Sequence, residues 1–355
     1  MNLGCVYNIL GLANPGYNNL NASAARPATY GEQINLLTEY LFLPWLAWPV
    51  PRDIQLMGFH GPAFDTVDDI KLNSIGFTGD EMTPDKPAGV IRILTLGGSS
   101  MFNRHMTERL SNSLRQRTNK PLEILGGALR THNSRSSLLK YRALAPYNFD
   151  YVLIYHGIND LWANDVPSDG FFDDYRQLNP WYRRGYWLDR SLIVRRIYNA
   201  YVGGESGSMT GNGGCFLESS QYLSARTFEQ NIRQLIADIR QNGGVPILMT
   251  FAYSIPPYYS LEGFLNNMLG YNNNGERNQC PVEVWGSVPY VKEGLQIHNG
   301  IIRKLAAELE VPLVDQESAM GKDLNWYSDV CHFSEVGTDL FIQNITDFFA
   351  TKGVI

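Results

Sequence analysis

The chain has 355 residues, 44% of them hydrophobic and 18% charged, with a formal net charge of −6. That is enough chain to bury a large core in one or two domains, and the acidic balance offers no basic field for a polyanion, so nucleic acid is not an expected partner. Cys5, Cys215, Cys280 and Cys331 are too scattered for a C-x-x-C redox or metal motif and too few for a disulfide scaffold. A Cys215–Cys280 bridge stays open, since both lie in Gly/Asn-rich sequence, and it would imply an oxidising compartment.

The chain opens without a basic head and apolar middle, so it carries no signal peptide: it is exported if a leader has been removed and cytoplasmic otherwise. The most apolar stretch, Ile34 to Val50, is interrupted by Asn35, Glu39 and Pro44. It falls short of the roughly 20 apolar residues a span needs, and reads as a packing helix entering a Pro/Trp turn, with a membrane-surface helix as the alternative. No integral membrane span is expected. Residues 1–87 show no β/α rhythm and close on "TGDEMTPDKPAG", a linker-like composition, so they form an N-terminal accessory segment and residues 88–355 the main domain.

From Val90 the pattern changes. "VIRILTL", "LEIL", "DYVLIYH", "VPILMTF" and "VPLVD" are short apolar runs that read as strands. Between them lie amphipathic segments. The clearest helix spans "RTFEQNIRQLIADIRQNGG", with Phe228, Ile232, Leu235, Ile236 and Ile239 at helical spacing; a second runs through Ile297, Ile301 and Leu305. Strands alternating with helices predict a parallel α/β sheet covered on both faces, with chemistry at the carboxyl ends of its strands. Two insertions, at about 161–225 and 253–289, break the rhythm; loops of that length are functional or mobile more often than not.

The first strand runs into Gly97-Gly98-Ser99-Ser100 and then a segment that reads as helix. Unpaired N–H groups at a helix start suit an oxyanion or a phosphate equally. No G-x-x-x-x-G-K-[ST] or G-x-G-x-x-G is present, and Met101 breaks the G-x-S-x-G elbow. After the strand "DYVLIY" come Gly157, Asn159 and Asp160. Near the chain's end Asp329 precedes His332 by three residues. A serine nucleophile needs a base, the base needs a carboxylate to fix its tautomer, and the developing oxyanion needs donors. Ser99, His332, Asp329 and Asn159 fill those roles, with Asp160 read as structural.

These segments resemble the SGNH (GDSL-type) hydrolases over roughly residues 90 to 350. "GIND" and "DVCH" match the family's blocks, in its order, while "GGSS" has Gly98 in place of the family's Asp and leaves Ser99 as the matching nucleophile. Aligning "EILGGALRTHNS" puts Arg130 where the family has a glycine whose backbone N–H joins the oxyanion hole. The resemblance implies a three-layer α/β/α sandwich with a flavodoxin-like parallel sheet, hydrolysis or transfer of acyl groups through an acyl-enzyme, and neither cofactor nor metal.

The expected function is therefore a serine esterase acting on acyl esters, acetyl among them, of a small molecule or a carbohydrate. An acyltransferase to a sugar hydroxyl would use the same site, and a catalytically silent glycan- or phosphate-binding protein is the alternative outside enzymes. An aromatic and arginine cluster around Trp162, Trp181, Tyr182, Arg183, Arg184 and Trp187 is suited to sugar stacking or to core packing; Trp162, Trp181 and Tyr182 are the substrate-binding candidates. His132, His156 and Cys331 read as structural.

Overall fold

The computed structural model describes residues 66–67, 70–164, 171–175, 221–276 and 280–353. Five of the short apolar runs pair as parallel strands: β2 (Ile91–Gly97), β3 (Leu122–Gly126), β4 (Tyr151–Tyr155), β5 (Val245–Met249) and β6 (Leu313–Val314). A two-residue strand, β1 (Thr78–Gly79), adds antiparallel to β3, giving the order β1-β3-β2-β4-β5-β6. The five parallel strands alone run 2-1-3-4-5 in chain order, the flavodoxin-like arrangement. Because β1 falls before residue 87, and Leu72, Phe77 and Met82 are buried beside it, the end of the N-terminal segment is part of the sheet's packing.

Side chains alternate across each strand, and the alternation divides the core in two. Ile93, Leu153, Tyr155, Ile247 and Met249 point to one face, covered by α1 (Met106–Arg115) and, at the chain's end, α7 (Glu335–Thr351). Leu94, Leu96, Val152, Ile154 and Leu248 point to the other, covered by α2 (Ser134–Leu144) and α4 (Ser224–Gln241). The result is a three-layer α/β/α sandwich. In α4 the buried residues include Phe228, Ile232, Leu235, Ile236 and Ile239, the predicted stripe. In α6 (Val288–Glu308) the stripe is offset from expectation: Val291, Leu295, His298, Asn299, Ile302 and Leu305 are buried, while Ile297 and Ile301 sit on its flank. Two polar residues on the core face hid that register from a reading based on apolar spacing. Between β4 and α4 lies the one-turn α3 (Ile158–Leu161).

The second insertion is built into the core. It contributes α5 (Leu261–Leu265), buries Phe264, Leu269, Tyr271 and Trp285, and is tied to the chain's C-terminal part where Ser254 donates its N–H to the Val330 carbonyl at 2.9 Å. Most of the first insertion, the stretch Ile34–Val50 and Cys215 lie outside the described residues. No described helix is long and apolar enough to cross a membrane.

Register fixes where the loops emerge. Gly97 pairs with Tyr155 and Tyr155 with Met249, so the carboxyl ends of β2, β4 and β5 are level, while β3 ends opposite Thr95, two residues earlier. After β2 the chain moves to one side for β3 and then crosses to the other for β4. The crevice between the β2 and β4 loops is thus the sheet's topological switch point.

Candidate active site

Ser99 stands two residues past the end of β2. The expected helix does not follow directly: Ser99–Met101 form a three-residue 3-10 turn, and α1 starts only at Met106 because Arg104 and His105 both take positive φ, 56° and 53°. Ser99 therefore sits on a tight turn rather than at the mouth of a long helix dipole, and is half-buried while Gly98 and Ser100 are buried. Gly98 has a steric reason to be glycine. A Cβ there would lie 2.6 Å from Asn159 Nδ2 and 3.3 Å from the His132 carbonyl oxygen. The Asn159 amide thus occupies the space that a side chain at position 98 would need.

His332 is carried by a tight loop between Tyr327 and Phe333, which pair as an isolated bridge; Ser328 donates its N–H to the His332 carbonyl at 2.9 Å. Asp329, three residues earlier, folds its carboxylate back under the loop. Its Oδ1 accepts the N–H of Cys331 at 3.0 Å and of His332 at 2.9 Å, and the carboxylate reaches His332 Nδ1 at 2.8 and 3.0 Å. The other ring nitrogen, Nε2, lies 2.7 Å from Ser99 Oγ. Residues 233 positions apart are thus joined in one hydrogen-bonded line, serine to imidazole to carboxylate. Ser100 adds a second tie between the same loops, donating its hydroxyl to the Cys331 carbonyl at 2.8 Å. Arg104 adds a third, from Nε to the Phe333 carbonyl at 2.7 Å.

Charge in this line is uneven. Burial works against a charged imidazole, but the Asp329 carboxylate beside it outweighs burial and holds His332 well above the ordinary histidine range. Burial would raise Asp329 likewise; the imidazole and the two backbone donors bring it below the ordinary carboxylate range. The neighbouring Cys331 thiol is pushed up to about 12 by burial, so it stays protonated and packs.

Asn159 lies in α3 and lines the same cleft as Gly98 and Ser99, together with His132, His156 and Phe251 among others. One N–H of its amide is donated to the His132 carbonyl at 2.9 Å. A primary amide has two. Next to it, Asp160 accepts from the Ser134 hydroxyl at 2.5 Å and from the Ser134 N–H, and burial raises it to about 7, a structural carboxyl that fixes α3.

Two expected site residues stand elsewhere. Arg130 is not among the cleft-lining residues: Leu129 gives its N–H to the Gly97 carbonyl and Thr131 turns the chain with φ 66°, which brings His132 to the cleft instead. The Arg130 guanidinium lies 5.8 Å over the Phe102 ring, and its Nε reaches Asn103. Trp162 is core rather than substrate platform. It is 9% exposed, donates Nε1–H to the Val284 carbonyl at 2.7 Å, and stacks on Trp285 at 5.7 Å. Trp181 and Tyr182 lie outside the described residues. Sequence reasoning gave Ser100 no role, read His132 as structural and weighed Cys280 only as half of a disulfide. Ser100 had a signal in its adjacency to Ser99; the others reach the site through turns that spacing does not encode. Cys280 is a thiol here rather than half of a disulfide, and its Sγ lies within 4.8 Å of a His332 ring nitrogen.

Residues 94–340 match the GDSL-like lipase/acylhydrolase family. Among solved structures, a GDSL-like lipase from Bacteroides thetaiotaomicron VPI-5482 aligns with a TM-score of 0.41 and 14% identity over 74% of this chain and 89% of that one. The lipase/acylhydrolase from Enterococcus faecalis aligns at 0.41 and 16%, over 74% and 96%. The acetylxylan esterase Axe2 from Geobacillus stearothermophilus aligns at 0.42 and 14%, over 73% and 93%. A search of curated proteins returns no match.

Proposed function

The chain belongs to the GDSL-like lipase/acylhydrolase family, and on that premise we propose that it is a serine esterase that removes short acyl groups, acetyl among them, with Ser99 as nucleophile, His332 as general base and Asp329 as its orienting carboxylate. The observation that carries this reading is the 2.7 Å separation of Ser99 Oγ and His332 Nε2, with Asp329 on the other ring nitrogen.

Asp329 accepts the Nδ1 proton, which leaves Nε2 with its lone pair toward the serine. As Ser99 Oγ bonds the ester carbonyl carbon, its proton passes to Nε2. The carbonyl oxygen takes on negative charge, which the Asn159 amide and the Ser99 backbone N–H stabilise. Collapse of that intermediate breaks the bond to the alcohol oxygen, which receives the proton from His332. Water, deprotonated by the same imidazole, then releases the acid from the acyl-enzyme. The small cleft, closed by His132, His156 and Phe251, favours a short acyl chain. The sugar-stacking expectation now rests on Trp181 and Tyr182, which lie outside the described residues.

The test is a panel of acetyl and longer p-nitrophenyl esters beside acetylated sugars. Acetyl esters should turn over fastest. Ser99→Ala should lower kcat by on the order of 10⁴ to 10⁶, and Asn159→Ala by about 10² to 10³. Full activity in Ser99→Ala would end the reading.

A further inference from the structure

Cys280 enters from the second insertion, has no part in the proposed acyl transfer, and lies against the residues that do. Its Sγ, a carboxylate oxygen of Asp329 and a ring nitrogen of His332 all lie within 4.8 Å of one another, and all three residues are buried. The nitrogen on the Asp329 side is Nδ1, and Cys331 Sγ is 3.8 Å from that same atom. Thiolate, imidazole and carboxylate are the donor types of a tetrahedral zinc site, whose Zn–N and Zn–S bonds of about 2.0 and 2.3 Å put neighbouring donors roughly 3.5 Å apart. Small rotations of side chains already this close meet that geometry.

We propose that Cys280, Asp329 and His332 form an inhibitory site for a soft divalent cation, Zn²⁺ or Cd²⁺, seated between the carboxylate and Nδ1. The thiol selects soft ions over Mg²⁺ and Ca²⁺. On binding, the Cys280 S–H bond breaks, its proton leaves to solvent, and a metal–sulfur bond forms. The ion takes the Nδ1 lone pair, so the imidazole's single proton moves to Nε2. A protonated Nε2 donates to Ser99 Oγ and has no lone pair for the serine's proton, so the ion disables the base without touching the nucleophile. The inhibition rests on the proposed role of His332; the binding does not.

The two parts are therefore measured separately. Cd²⁺ titrated into the full chain should give a saturable thiolate-to-cadmium charge-transfer absorption at one equivalent, and Ser99→Ala should give the same band although it hydrolyses nothing. With the native chain, Zn²⁺ should abolish ester hydrolysis, a chelator should restore it, and Mg²⁺ should have no effect. Measured against its own metal-free rate, Cys280→Ala should lose the cadmium band and need about tenfold more Zn²⁺, or still more, for half-inhibition. Cys280→Ser serves the same purpose should the alanine variant fold poorly. Absence of the band in the native chain, or unchanged Zn²⁺ sensitivity in a folded Cys280 variant, overturns the site whether or not the chain proves to be an esterase.

Discussion

At the scale of single residues, the proposed mechanism makes the Asp329–His332 pair set the working pH. Because Asp329 holds the imidazole well above the ordinary value near 6.5, the neutral base becomes available only as pH rises through that higher pKa. The profile of kcat/KM should accordingly climb on the alkaline side of 6.5, and Asp329→Asn should bring the inflection down while lowering kcat. An inflection unmoved by the substitution would show that some other group titrates. Stability runs the opposite way. A histidine with a raised folded-state pKa contributes stability that is fully present below its unfolded value and is lost as pH rises through the folded one. The conditions that free the base thus weaken the ion pair that holds its loop.

At the scale of elements, three connections converge because the sheet register ends their strands level, and hydrogen bonds between loops do the fine positioning. Ser100 joins the nucleophile turn to the His332 loop through a buried 2.8 Å bond to the Cys331 carbonyl. Ser100→Ala should lower kcat by about tenfold to a hundredfold with KM held, since small misplacement of reacting groups is costly, and Ser100→Thr should recover part of it. Steady-state kinetics on an acetyl ester decides this; a change confined to thermal stability would make Ser100 a packing residue only. How much of this level could be read from sequence depends on how local the determinant is. The Asp329–His332 spacing and the strand-end positions of Ser99 and Asn159 are short-range patterns, and they meet in the structure. The break in the helix expected after Ser100 was not readable that way, because Arg104 and His105 take the left-handed region, which composition does not announce. The Arg130 expectation came from alignment by its strand, which takes no account of the turn at Thr131.

At the scale of the whole molecule, the sandwich was legible because a two-residue alternation on the strands and a helical stripe on α4 each specify a face. What long-range packing decides was not. Trp162 follows the Asn159 turn closely enough to be taken for a substrate platform, yet its partner Trp285 is more than a hundred residues away and draws it into the core. Trp162→Ala should therefore cost about 3 to 5 kcal/mol of stability, read by denaturant unfolding, with KM for an acetyl ester unchanged in the protein that remains folded. A raised KM at full stability would return Trp162 to the substrate side.

All three scales depend on Ser99, and not Ser100 beside it, being the activated hydroxyl. Peptide mapping by mass spectrometry after reaction with a fluorophosphonate tests that most directly. One adduct per chain at Ser99, lost in His332→Ala, is the predicted result. A native chain that takes no label, or takes it at Ser100, would contradict the account.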